Sequence, residues 1–129
     1  LTDDILTAFA GLRGHSFIAL TTFRKTGVPV VTPVWFVLQD NRVLVFTGRT
    51  SGKVKRLRNN PRVELAPSDF NGKPLGAAIS GAARFLPENE WPQSEQSFRK
   101  KYGAQFSFYG FLGRVRGDTD RIYLEISPP

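Results

Sequence analysis

Two prolines, Pro29 and Pro33, stand inside an apolar, β-branched run at residues 28–38 (VPVVTPVWFVL). The run has the composition of a strand. Proline has no N–H to give to a ladder, so a strand carrying two of them must lie at a sheet edge, bulge, or open toward a ligand at those points. Spaced four apart, both prolines face the same side of the strand. Either the prolines protect an edge from aggregation, or they leave it free for a ligand.

The rest of the chain reads as short strands and turns around that run. Residues 16–23 (SFIALTTF) make a strand that the turn 24–27 (RKTG) joins to residues 28–38 as a hairpin. Residues 39–42 (QDNR) turn into the strand 43–47 (VLVFT), and residues 62–66 (RVELA) form another. Residues 67–74 (PSDFNGKP), with the Asn71-Gly72 pair, read as a loop or hairpin turn. The small residues of 75–86 (LGAAISGAARFL) suit a strand that something approaches closely, or a tightly coiled barrel corner. Residues 119–126 (TDRIYLEI) alternate strictly, with Ile122, Leu124 and Ile126 inward and Arg121, Tyr123 and Glu125 outward.

Three helices are expected. Residues 1–13 offer Thr2 as a cap and Ile5, Leu6, Phe9 and Leu12 as an apolar face. A basic helix follows Ser51. Residues 87–102 have Asn89 as a cap, Gly103 as a stop, and Trp91, Phe98 and Tyr102 on one face as a packing stripe. The aromatic-dense residues 105–112 (QFSFYGFL) suit a cover over an open barrel end or a subunit contact. The expected fold is mainly β with short helices: a six-stranded antiparallel barrel, closed or split, in a single domain of residues 1–129 around one core.

Composition removes several function classes. With 40% hydrophobic and 22% charged residues and no apolar run near the ~18 of a membrane span, the chain reads as a soluble protein. It has no cysteine, which excludes disulfide and thiolate chemistry and fits a cytoplasmic location. The chain starts at Leu1, which is compatible with a removed leader. Its one histidine, His15, opens an apolar strand and lacks any companion spacing for a triad or a zinc site. No metal site and no catalytic side chain are assigned, so the reactive group of an enzyme built on this chain would come from a bound cofactor.

The charge is concentrated in residues 46–61 (FTGRTSGKVKRLRNNP) and just beyond. Arg49, Lys53, Lys55, Arg56, Arg58 and Arg62 fall in one stretch without an acid among them, against a whole-chain net charge of +7. Ser51 is a suitable N-cap, and Asn59, Asn60 and Pro61 make a stop. Lys53 in the first turn makes sense if an anion sits there. Two readings stay open: a phosphate site, or a solvated cationic helix that buries Val54 and Leu57. Residues 48–54 (GRTSGKV) fall one residue short of a P-loop, with Val where the magnesium-binding Ser/Thr belongs, so a nucleotide triphosphatase is excluded.

The runs SFIALTTFRKTGVPVVTPVWFVL and VLVFTGRTSGKVKRLRNNPRVELAPSD, with GKPLG after them, resemble the pyridoxamine-phosphate-oxidase-like FMN-binding split barrels, and most of all their branch of deazaflavin (F-420)-dependent enzymes. The resemblance covers nearly the whole chain. It implies a homodimer with two cofactor sites at the interface. Thr32, Pro33, Val34 and Trp35 would line the ring, and Thr47, Ser51 and Lys53 would hold the ribityl chain and phosphate, with Arg49, Lys55 and Arg56 as further candidates. Trp91, the 106–111 segment and Arg121 are candidates for contacts from the partner subunit. The arginine and histidine arrangement of the true pyridoxamine phosphate oxidases is missing at the C-terminus, so vitamin B6 oxidation is not expected.

The implied activity is that of a flavin- or deazaflavin-dependent oxidoreductase, passing a hydride from the reduced deazaflavin coenzyme to a small organic acceptor. Six cations exceed what one FMN phosphate requires, which favours the deazaflavin with its oligoglutamate tail. The alternatives are an FMN-dependent oxidase or reductase, or a non-catalytic dimer that carries flavin or haem. A nucleic-acid-binding barrel is the competing class, suggested by the basic charge and 11 phenylalanines. Against it, the aromatics cluster in apolar strands instead of alternating with Lys/Arg on one exposed face.

Overall fold

A computed structural model describes residues 8–108 and 120–129 of the chain. Its strands are β1 (Phe17–Phe23), β2 (Pro29–Trp35), β3 (Val37–Gln39), β4 (Arg42–Gly48), β5 (Arg62–Ser68), β6 (Ile79–Phe85) and β7 (Arg121–Ser127), with helices α1 (Gly52–Asn59) and α2 (Trp91–Tyr102). All pairings are antiparallel, in the order β2-β1-β5-β6-β7-β4-β3. The mainly β expectation holds, but among the described residues the sheet has seven strands instead of six and no ladder closes it.

The seventh strand arises because residues 28–38 are not one strand. They break at Phe36, and the two halves become the opposite edges of the sheet. Consecutive in the chain yet outermost in the sheet, β2 and β3 can meet only if the sheet curls until its edges adjoin at Phe36. β2 pairs with β1 alone, so Pro29 and Pro33 do lie on an edge strand.

The curled sheet buries two apolar clusters instead of the single expected core. One fills its interior, with Phe9, Leu12, Ile18, Leu20, Val43, Val45, Leu57, Leu65, Leu124 and Ile126. The other lies on the outer face of β4 and β7, where Leu44 and Tyr123 meet Phe98, Tyr102 and Phe106. Strand alternation puts neighbouring residues on opposite faces, so β4 and β7 feed both clusters. Tyr123 lies on the outward face of its strand, as expected, and there it is covered by α2 and 3% exposed.

Other boundaries shift for local reasons. Residues 75–78 are loop, and the strand begins at Ile79. Asn89 is not a cap: residues Glu88–Glu90 form a 3-10 turn, and α2 starts at Trp91 with Pro92 in its first turn. Gly103, with φ 58°, ends α2 as expected. The N-terminal segment shows a 3-10 turn at Ala10–Leu12, while residues 1–7 and 109–112 of the expected helix and aromatic segment lie outside the described residues. Among the described residues no helix is long and apolar enough to cross a membrane.

Candidate functional site

Three pairs join β3 to β4: Val37 with Leu44, Leu38 with Val43, and Gln39 with Arg42. Continued in the same register, that ladder would set Trp35 opposite Phe46, Val34 opposite Thr47, and Pro33 opposite Gly48. It does not continue. β2 turns away at Phe36 to pair Trp35 with Phe17, Val34 with Ile18, and Pro33 with Ala19 on β1. The six residues left facing one another line a cleft of about 350 Å³, completed by Phe17, Lys53, Asp120 and Arg121. The cleft is the unzipped extension of the β3–β4 ladder.

Pro33 keeps it unzipped. The β1–β2 ladder runs past Pro29 and Pro33 without a break, so the sides of these residues that lack a donor face the free edge of β2. On that edge, closing the ladder onto β4 would require an N–H that Pro33 does not have.

One end of the cleft is cationic. β4 delivers Thr47 and Gly48 to the turn before α1, whose N-cap residue Ser51 has extended backbone angles, φ −67° and ψ 156°. Its hydroxyl does not cap the helix, as the sequence suggested; it shares a hydrogen bond of 3.0 Å with the Thr47 hydroxyl. Burial, and after it the neighbouring Arg56 guanidinium, pushes the Lys53 amine below its usual value. Arg56 folds back along the helix, since a Cβ on Gly52 would stand 2.8 Å from its Nη1, and its Nε donates to Thr22 Oγ1 at 2.6 Å. Two cations are thus held together, and neither has a carboxylate partner among the described residues.

The remaining cations of the basic stretch are dispersed. Arg49 pairs with Asp120 at 3.0 Å, also accepts no role in the cleft lining, and sits over the Trp91 ring. Arg62 pairs with Glu64 at 3.1 Å and lies over Phe23, and Arg58 rests over Phe85. Lys55 is exposed on the far side of α1 from the buried Val54 and Leu57.

Of the ten residues singled out by sequence, the structure brings Pro33, Val34, Trp35, Thr47 and Lys53 to the cleft, with Ser51 and Arg56 directly behind them. Thr32 is next to the lining; its hydroxyl is buried and has no hydrogen-bond partner among the described residues. Arg49 and Lys55 stand apart. Phe17, Phe46, Gly48 and Asp120 were missed, although Phe46 and Gly48 flank Thr47, and Asp120 precedes Arg121, so these could have been named with their neighbours. Arg121, a candidate for a contact across a subunit interface, lines this chain's own cleft, its guanidinium 4.7 Å from the Phe46 ring centre. His15 is outside the cleft lining, and the described residues hold no cluster of His, Cys, Asp and Glu fit for a metal.

Comparison with known proteins places the chain. The pyridoxamine 5′-phosphate oxidase family matches residues 6–128. No curated protein matches the sequence. Among solved structures, a protein of unknown function from Agrobacterium tumefaciens superposes with a TM-score of 0.71 at 16% identity, over 97% of this chain and 53% of its own. This chain therefore spans about half the length of that relative. A FAD-binding protein from Mesorhizobium loti gives 0.66 at 16% identity, over 95% and 86% of the two chains. HutZ, the haem storage protein from Vibrio cholerae, gives 0.67 at 15% identity, over 100% and 90%. At such identities the likeness shows the fold alone.

Proposed function

The chain belongs to the pyridoxamine 5′-phosphate oxidase family, and from that footing we propose that it is a flavin-dependent oxidoreductase whose cofactor lies in the β2–β4 cleft. The observation that carries the reading is the Lys53–Arg56 pair, two cations with no acidic partner among the described residues, at the end of an apolar-walled cleft. Like charges are forced together there, and a phosphate between them would relieve the repulsion and favour the charged form of Lys53. Thr47 and Ser51 present hydroxyls beside it, while Pro33, Val34, Trp35 and Phe46 supply flat apolar walls that exclude water. When bound, a flavin supplies two-electron redox chemistry toward a small organic acceptor.

The charge geometry favours FMN. Of the six cations in the basic stretch only Lys53 lines the cleft, with Arg56 behind it, and Arg121 from β7 adds one more, a number that suits one phosphate. The deazaflavin coenzyme (F-420) is the second reading, favoured by the exposed Lys55 and Arg58 on the same helix, which an oligoglutamate tail could reach. A haem carrier is less well supported, because the described cleft lining offers no His, Cys, Met or Tyr as an axial ligand. The protein works as a homodimer, the second copy covering the outer face of β2. Val31 is half exposed there, as is Val28 in the turn before it, and the 69–76 loop, bearing the exposed Phe70 and Leu75, leans on Pro33 at Gly72.

Fluorescence titration of the cofactor-free protein with FMN, and separately with the deazaflavin coenzyme, at two salt concentrations tests the reading. Salt-sensitive FMN binding supports it; preference for the deazaflavin moves it to the second reading, and binding of neither overturns both. Turnover of a reduced cofactor with a panel of acceptors separates an enzyme from a carrier.

A further inference from the structure

Phe36 is the one residue between β2 and β3, so its backbone N–H and C=O belong to neither ladder. Buried backbone groups need partners, and both of these are supplied by the last turn of α2. The Phe36 N–H donates to Tyr102 Oη at 2.9 Å, and the Phe36 carbonyl accepts from Lys101 Nζ at 2.8 Å. The Tyr102 hydroxyl stands 2.8 Å from the Ser16 carbonyl and 2.6 Å from that of Phe36. It has a single proton. That proton lies between the two carbonyls, the Phe36 contact being the shorter, and Lys101 also donates to the Phe36 carbonyl. The hydroxyl then bridges the entry to β1 and the bend between β2 and β3.

The ring of Tyr102 acts on the same place. It stacks on Trp35, with centroids 4.4 Å apart and planes 11° from parallel, and Trp35 lines the cleft. Phe46, on the opposite wall, meets Trp35 edge-on at 6.4 Å. Behind Tyr102 the stack continues to Phe98.

We propose that Tyr102 is a positioning residue for the cleft: it holds the bend at Phe36 that keeps β2 away from β4, and it backs the Trp35 wall. This rests on the cleft being the flavin site. Without the hydroxyl the bend relaxes, the open arrangement is only part of the population, and apparent affinity falls by that fraction.

Tyr102→Phe removes the hydroxyl and keeps the ring, while Leu86→Val disturbs the same cluster at a buried residue outside the cleft lining and serves as the control for general destabilisation. In Tyr102→Phe the Kd for FMN should rise about tenfold, the effect of a competent population of roughly a tenth, while Leu86→Val stays within about twofold. A Tyr102→Phe Kd within about twofold of wild type, or an equal loss in Leu86→Val, overturns the proposal. A second readout needs no cofactor. In a Trp91→Phe background, fluorescence reports Trp35 alone, and Tyr102→Phe should increase its quenching by acrylamide. If wild type binds no flavin, the functional reading fails while this readout still decides the positioning role: unchanged quenching overturns it.

Discussion

The Ser51 hydroxyl bonds to Thr47 Oγ1 at 3.0 Å instead of to an amide of α1's first turn. A serine at the N-cap position is thus spent on the strand that precedes the helix. Removing it takes away no cap bond, so Ser51→Ala should cost less than about 1 kcal/mol of stability, the low part of the range for cap removal. Urea denaturation checks this. FMN affinity, which draws on the Thr47–Ser51 pair, should fall in the same variant.

Lys53 and Lys55 are two residues apart and should behave differently. Lys53→Ala should weaken FMN binding by about 1.5–3 kcal/mol through loss of a charge-assisted contact, while Lys55→Ala, exposed and outside the cleft lining, should change it little. Equal losses in both variants would sink the assignment of Lys53 to the phosphate.

The same lysine gives a pH dependence. Burial and then Arg56 lower its pKa in the free protein, and a bound phosphate would raise it again. Binding then takes up a proton between the two values, so affinity should fall as pH rises through that window. Titrations at stepped alkaline pH, with Lys53→Ala as the flat control, measure it.

Much of this site was legible because the relevant constraints are local. The missing N–H of Pro29 and Pro33 announced an edge strand, and the turn at residues 48–52 announced a helix start beside cations. The break at Phe36 was not legible. The run continues through Phe36, Val37 and Leu38 without a turn residue, and the groups that satisfy the bend, Lys101 and Tyr102, lie 65 and 66 residues away. Charge misled for the same reason: a sequence shows six cations but not that Arg49 finds Asp120 across 71 residues. Tyr123 was legible as outward but its burial was not, because alternation tells two strand faces apart but not whether a helix covers the second.

Glu125 joins three strands. From β7 it accepts from Arg42 on β4 at 2.6 Å and from Arg84 on β6 at 2.7 Å. Burial alone would raise its pKa, but the two arginines outweigh it and hold the carboxyl below its usual value. Its stabilising contribution is therefore present above the unfolded pKa, near 4.5, and is lost as pH falls through the lower folded value. Glu125→Gln should cost about 1–2 kcal/mol at neutral pH, between surface and buried pairs. The gap from wild type should close in strong acid, as denaturation series at the two pH values would show.

Gly81 answers the small-residue run around it. A Cβ there would stand 2.6 Å from Ile126 Cγ2 and 3.1 Å from the Ser127 carbonyl, between the neighbouring strands. Backbone cannot yield as a side-chain tip can, so Gly81→Ala should lower stability by about 1–3 kcal/mol. Unchanged thermal unfolding would show that β6 and β7 can move apart at no cost.

The three-pair length of β3 has a consequence for how such a fold can vary. Every further pair added to the β3–β4 ladder would shorten the opening by about 3.4 Å, one residue on each wall. Moving the bend by two residues would preserve which side chains face inward and leave the buried clusters as they are. The position of one bend along the chain is therefore a length gauge for the ligand, adjustable independently of the scaffold that carries it.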